Sequence, residues 1–227
     1  MAFLGLVLLV GRCPGQDEAE VPKRQVDQPD HLVPIDPYPG DWHESYAKLY
    51  RKTLQLPEPG EAAVMVYMPS FSGEEGLVIH ETEGKDPSFI LIHTRADRNI
   101  WYSMPENSDD GKPKRVVVTR REAPLPAETA WRVCRLWERM LRGVRYPIPA
   151  EEDSTGLDGE TIEFWRHNMY GTTWSPEGGA LRGLLDLGRA LADYCEVSED
   201  KRAATLKTVQ GRCQALERYL EVKAAPR

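Results

Sequence analysis

The chain has 227 residues, 41% of them hydrophobic and 29% charged, with a formal net charge of −7. A near-normal apolar fraction with charges of both signs excludes wholesale disorder. Four cysteines are too few for a disulfide scaffold, no apolar run reaches the roughly 18 residues of a membrane span, and no named catalytic signature occurs.

Residues Ala2 to Val10 (AFLGLVLLV) carry no polar side chain. They match the apolar core of a secretory signal peptide, which takes about 7–15 such residues. A positively charged leader is absent, and Cys13-Pro14-Gly15 offers a cleavage point before Gln16. Lipidation of Cys13 would need a small residue where Arg12 stands. Residues 1–15 therefore read as a signal-peptide remnant, and export to the periplasm or the exterior is expected. A retained short hydrophobic segment is the alternative. Residues 16–40 read as a proline-rich linker whose end packs down near Tyr38. Residues 41–223 read as a single domain.

A helix is predicted from Asp41, a capping residue with Glu44 three positions on. Trp42, Tyr46, Leu49, Tyr50 and Leu54 share one face, and Pro57 stops it. Strands follow at Ala62–Met68, Leu77–Glu83, Ser88–Thr94, Asn99–Met104 and Arg115–Arg121. Short connections favour an antiparallel meander. The second and third strands are apolar on both faces, so that hairpin should be central and covered by helices. A long helix runs from about Pro126 to Gly143, its apolar residues within about a 100° arc. A hairpin is predicted at Glu160–Trp165 and Thr172–Trp174, with Gly171 in the connection. Two helices close the chain, the second starting after the cap Ser198. Its seam of Leu206, Val209, Cys213, Leu216 and Leu220 must pack on its neighbour helix or on a second copy in a homodimer. The expected fold is α+β: an antiparallel β-meander of about five strands covered by helices, plus a C-terminal β-hairpin and helical hairpin.

The run Asp158-Gly159-Glu160-Thr161-Ile162-Glu163-Phe164, then Thr173-Trp174-Ser175-Pro176 and a Leu-rich helix, resembles a C-terminal block found in many uncharacterised bacterial proteins. The resemblance covers roughly 40 residues, supports the hairpin-helix reading and implies a bacterial origin, but no reaction or ligand. The residues also have a plain structural account: Asp-Gly suits a tight turn, and Trp174 is an apolar plug at a strand end.

Charge is unevenly distributed. Residues 16–113 sum to −10 and residues 114–145 to +6. Arg132, Arg135, Arg139 and Arg142 form a stripe about 80° wide, opposite the apolar face of their helix. With Arg120 and Arg121 on the preceding strand, they are the candidate anion- or partner-binding residues, since guanidinium forks suit carboxylates or phosphates. A solvated face neutralised by Glu128 and Glu138 is the alternative. The negative total disfavours nucleic acid, so an acidic protein or an anionic envelope component is the expected partner. The histidines show no metal-binding spacing, no cofactor motif occurs, and Gly-x-Ser-x-Gly is absent. Whether His80 and His93 share a face depends on strand register. The first expectation is a non-enzymatic binding domain. The alternative is a hydrolase with a non-standard site, which requires a cleft holding His80 or His93 beside a carboxylate or serine. Cys134, Cys195 and Cys213 are either buried thiols or supply one disulfide that includes Cys134.

Overall fold

A computed structural model describes residues 29–35, 41–58, 60–82, 88–108, 111–147 and 158–224. The expected signal remnant with Cys13 and the linker end near Tyr38 lie outside these residues.

Helix α1 (Asp41–Thr53) ends short of Pro57, with Gln55 in the left-handed region. Strands β1 (Ala63–Pro69), β2 (Glu75–Thr82), β3 (Ser88–Ala96) and β4 (Val118–Leu125) form an antiparallel meander. Helix α2 (Ala127–Arg142) then carries the chain back across the sheet. Strands β5 (Glu160–Arg166) and β6 (Met169–Trp174) follow. They add beside β1, giving one six-stranded sheet in the order β4-β3-β2-β1-β5-β6. Helices α3 (Gly179–Glu196) and α4 (Glu199–Ala224) form the C-terminal helical hairpin.

The α+β class holds, with three corrections in detail. The meander has four strands, because residues 101–103 and 105–107 form 3-10 turns where a strand was expected. The Asn99 Oδ1 accepts the Tyr102 N–H at 3.1 Å and curls this segment, and Pro105 supports the second turn. The hairpin is not a separate unit, since β5 pairs with β1 along its whole length. It turns at His167-Asn168, with His167 at φ 53°, while Gly171 lies within β6. There an added Cβ would stand 2.8 Å from Val144 and 2.9 Å from Leu32. β4 also runs further than expected. It is an edge strand, where Pro124 is tolerated, and it continues until Ala123 and Leu125 are buried.

Both faces of the sheet are covered. Ala63, Met65, Leu77, Ile79, Leu91, Ile162 and Phe164 pack against α2 and α3, with α4 lying on those two helices. Val64, Val66, Val78 and Trp165 pack against Tyr50 of α1 and Leu54 just after it. Val209, Cys213 and Leu216 of the α4 seam are fully buried within the same chain. Cys134, Cys195 and Cys213 are buried thiols. Removal from water pushes Cys195 up to about 11 and Cys213 up to about 12.

Residues 29–35, inside the stretch read as a linker, lie against the domain. Leu32 is fully buried, and Val33 bridges Thr172 of β6 in both directions. The Asp30 carboxylate accepts the Ala180 N–H at 2.6 Å and the Tyr219 hydroxyl at 3.0 Å, and it also pairs with Lys223.

Candidate functional site

β1, β3 and β6 end, and β2, β4 and β5 begin, at one end of the sheet. The loops there are locked together by close contacts. Gly73 lies so near Ala96 that an added Cβ would stand 2.0 Å from its carbonyl oxygen, so only glycine fits. Ser70 exchanges two bonds with Gly159, donating its hydroxyl to the carbonyl at 2.8 Å and accepting the N–H at 3.0 Å. Ser175 accepts the Glu160 N–H at 2.9 Å, and a Cβ on Gly159 would enter the Trp174 ring at 2.4 Å. The Asp-Gly and Trp-Ser-Pro runs are thus one joint between the start of β5 and the end of β6.

On the α1 side of this end is a cleft of about 280 Å³. Its walls include Tyr46, Trp101, Tyr102, Phe71 and Trp174, and the carboxyl groups of Asp158 and Glu163 also line it. Tyr46 and Trp101 meet edge to face at 5.3 Å between ring centres. Behind them is Glu74, fully buried. Its carboxylate accepts the Tyr46 hydroxyl at 2.6 Å and the Ile100 N–H at 2.7 and 3.0 Å, which fixes the loop carrying Trp101 and Tyr102. Burial raises the Glu74 pKa above the ordinary carboxylate value, although these donors oppose the shift. Glu163 is also buried and accepts the Tyr50 hydroxyl at 2.6 Å. Burial, and then the neighbouring carboxylates, raise both tyrosines, so both hydroxyls stay protonated. Phe71 and Tyr102 stand 74% and 48% exposed, an unusual outlay of aromatic surface at one spot.

On the other side, a cleft of about 440 Å³ lies between the sheet and α3. His93 sits on its floor. Nδ1 meets Glu196 at 2.9 Å and Nε2 meets Glu75 at 3.1 Å. Burial alone would lower the His93 pKa, but the two carboxylates outweigh it and raise it. Burial would likewise raise Glu75, but His93, Arg95 and Arg189 hold it below its ordinary value. His93 is therefore a clasp joining β2, β3 and α3, with a carboxylate at each ring nitrogen. Nearby, Arg189 reaches Glu160 at 3.1 Å and lies over the Tyr67 ring, whose hydroxyl bonds Glu160.

The arginine stripe lies elsewhere and is largely engaged within the chain. Arg132 makes a two-pronged pair with Glu217 of α4, and Arg139 donates to the Leu220 carbonyl at 2.9 Å. Arg142 pairs with Glu138 and Arg120 with Glu122. Arg121 approaches Glu196 at 3.8 Å, while Arg135 is exposed. His80 and His93 fall on opposite faces: His80 follows Val78 towards the α1 side, and His93 follows Leu91 towards α3. Among the described residues, no group of three or more His, Cys, Asp or Glu is placed to hold a metal ion, and no helix is long and apolar enough to cross a membrane.

Sequence reasoning passed over Glu74, Glu163 and their tyrosines. Glu163 stands between Ile162 and Phe164, where strand alternation accepts a solvent-facing acid, so the local pattern carried no signal for it. No family model matches the chain, nor does any curated protein or solved structure.

Proposed function

We propose that this protein is an exported, non-enzymatic recognition domain that takes its ligand at the loop end of the sheet. Export rests on the apolar run Ala2–Val10. The observation that carries the rest is the pairing of two features at that end: an aromatic-walled cleft with exposed rings at its rim, and a histidine with no nitrogen left for proton transfer. Recognition surfaces characteristically combine rigid aromatic side chains with a few placed polar groups. The expected acidic or envelope partner would have to use Arg135, because Arg132 and Arg139 already hold α4 in place.

A hydrolase reading has one point in its favour, since His93, Glu75 and Ser72 line a common cleft. Against it, a general base must offer a free nitrogen to the proton it removes. Chromogenic ester, phosphoester, glycoside and peptide substrates test the choice. Turnover is expected to stay at the blank rate for the wild type. Turnover that disappears in both Ser72→Ala and Glu75→Gln would establish the hydrolase instead.

A further inference from the structure

A groove at the tip of the loop end carries a more specific statement, resting on the recognition reading above. It has a volume of about 510 Å³ and lies between Phe71 and Ser72 of the β1–β2 loop and Arg95, Asp97, Arg98 and Thr119, where β3 ends and β4 begins. We infer that this groove docks an acidic peptide segment, with carboxylates on Arg95 and Arg98 and an apolar side chain on the Phe71 ring.

The polar side chains of the lining divide into engaged and open groups. The Asp97 oxygens are engaged, one by the Val117 N–H at 2.8 Å and the other by Arg98 at 3.2 Å. Asn99 donates to the Pro69 carbonyl at 3.1 Å and accepts the Tyr102 N–H. Arg95 is 62% exposed and meets Glu75 through Nε alone, at 3.3 Å, so both its terminal nitrogens are open among the described residues. Arg98 spends Nε and Nη2 on Asp97 and keeps Nη1. The Ser72 and Thr119 hydroxyls are exposed and have no partner among the described residues. What is left to meet a ligand is cationic and rich in donors, which suits carboxylates. The exposed Phe71 ring stands beside it, and aromatic anchors next to arginines are the pairing that dominates recognition surfaces. The walls are fixed in advance: Gly73 lies against Ala96, and the Asp97 N–H donates to the Val117 carbonyl at 2.9 Å.

The cationic stretch is also short. Phe71 and Asn99 are shared with the α1-side cleft, which holds the Asp158 and Glu163 carboxyl groups. Ser72 and Arg95 are shared with the cleft under α3, which holds Glu75, Asp193 and Glu196. A nucleic acid, charged at every nucleotide, would run from the groove onto these acids. A peptide can place one or two carboxylates at the arginines and an apolar residue at Phe71.

The test is a titration of the full protein at low salt, read by fluorescence anisotropy. The probes are a labelled, end-capped peptide with two acids on each side of a phenylalanine, its Asn/Gln counterpart, and a labelled single-stranded oligonucleotide. The acidic peptide is expected to bind saturably, about tenfold or more tighter than its amide counterpart, and to weaken as salt rises. Phe71→Ala and Arg95→Gln should each weaken it about threefold or more. Circular dichroism and melting identify variants that fail to fold. Phe71→Ala and Arg98→Gln, both at exposed positions, keep the test usable if the loss of the Glu75 pair makes Arg95→Gln unstable. Absence of saturable binding, equal binding of the two peptides, or binding unchanged by the Phe71 and arginine variants would overturn the inference. An oligonucleotide that binds more tightly and displaces the peptide would overturn it in favour of nucleic acid. Each of these failures leaves the recognition reading standing if an envelope fraction still shifts amides at the loop end. Substrate turnover in the hydrolase assay would instead remove that reading.

Discussion

At the residue scale, the site is organised by acids placed where water cannot reach them. Glu74 is fully enclosed, so each donor it keeps matters more than the same bond would at the surface. Tyr46 spans 28 residues of sequence to reach it. Replacing Tyr46 with Phe keeps the ring and removes one donor from a buried carboxylate. The expected cost is about 1–3 kcal/mol in urea unfolding. By contrast, Thr82→Ala, which removes an exposed hydroxyl bonded to Ser88, should cost less than about 0.5 kcal/mol. These acids were hidden from the sequence by that same distance. A glutamate in a strand pattern reads as a solvent-facing position until its tyrosine is found, and Tyr50 lies 113 residues from Glu163.

At the scale of elements, the arginines of α2 act chiefly as fasteners. The stripe was legible from helical spacing, and so was the apolar face beneath it. What spacing could not show was that α4 lands beside the stripe and brings Glu217 and the Leu220 carbonyl within reach. Arg132→Ala is therefore expected to lower stability by about 1 kcal/mol, and Arg135→Ala by less than about 0.5 kcal/mol. Equal effects would make the stripe a uniform solvated face.

The His93 clasp gives a pH signature at the same scale. Its pKa is raised in the fold, so its contribution is complete below the ordinary value of 6.5 and is lost as pH rises through the folded value. Glu75 is lowered, so its contribution is complete above 4.5 and is lost as pH falls through its folded value. Both hold together between about 4.5 and 6.5. The melting-temperature difference between wild type and Glu196→Gln should be largest in that window and shrink above neutral pH. A difference that grows with rising pH would mean His93 is neutral in the fold.

For the whole molecule, local pattern was informative and long-range order was not. The long helix, the β2–β3 hairpin and each helix of the C-terminal hairpin follow from periodicity over fewer than 30 residues. The sheet order depends on β5 choosing β1 as its neighbour, almost a hundred residues away, and several arrangements satisfy the same pattern. The segment 29–35 was equally opaque, because its prolines and charges suit a linker. Its role emerges only when Leu32 is seen in the core and Asp30 is seen joining the start of α3 to the end of α4. Leu32→Ala should cost about 2–5 kcal/mol in equilibrium unfolding, as for other fully buried leucines. A value below 1 kcal/mol would return the segment to the status of a linker.

The central claim is that recognition occurs at the loop end of the sheet, on its α1 side. The direct measurement is an amide-resolved NMR titration of the full protein with a solubilised envelope fraction. Shifts that saturate together at residues 70–73, 99–102 and 158–161, with α2 unmoved around Arg135, are the predicted result. Shifts confined to α2, or to the cleft around His93, would contradict it.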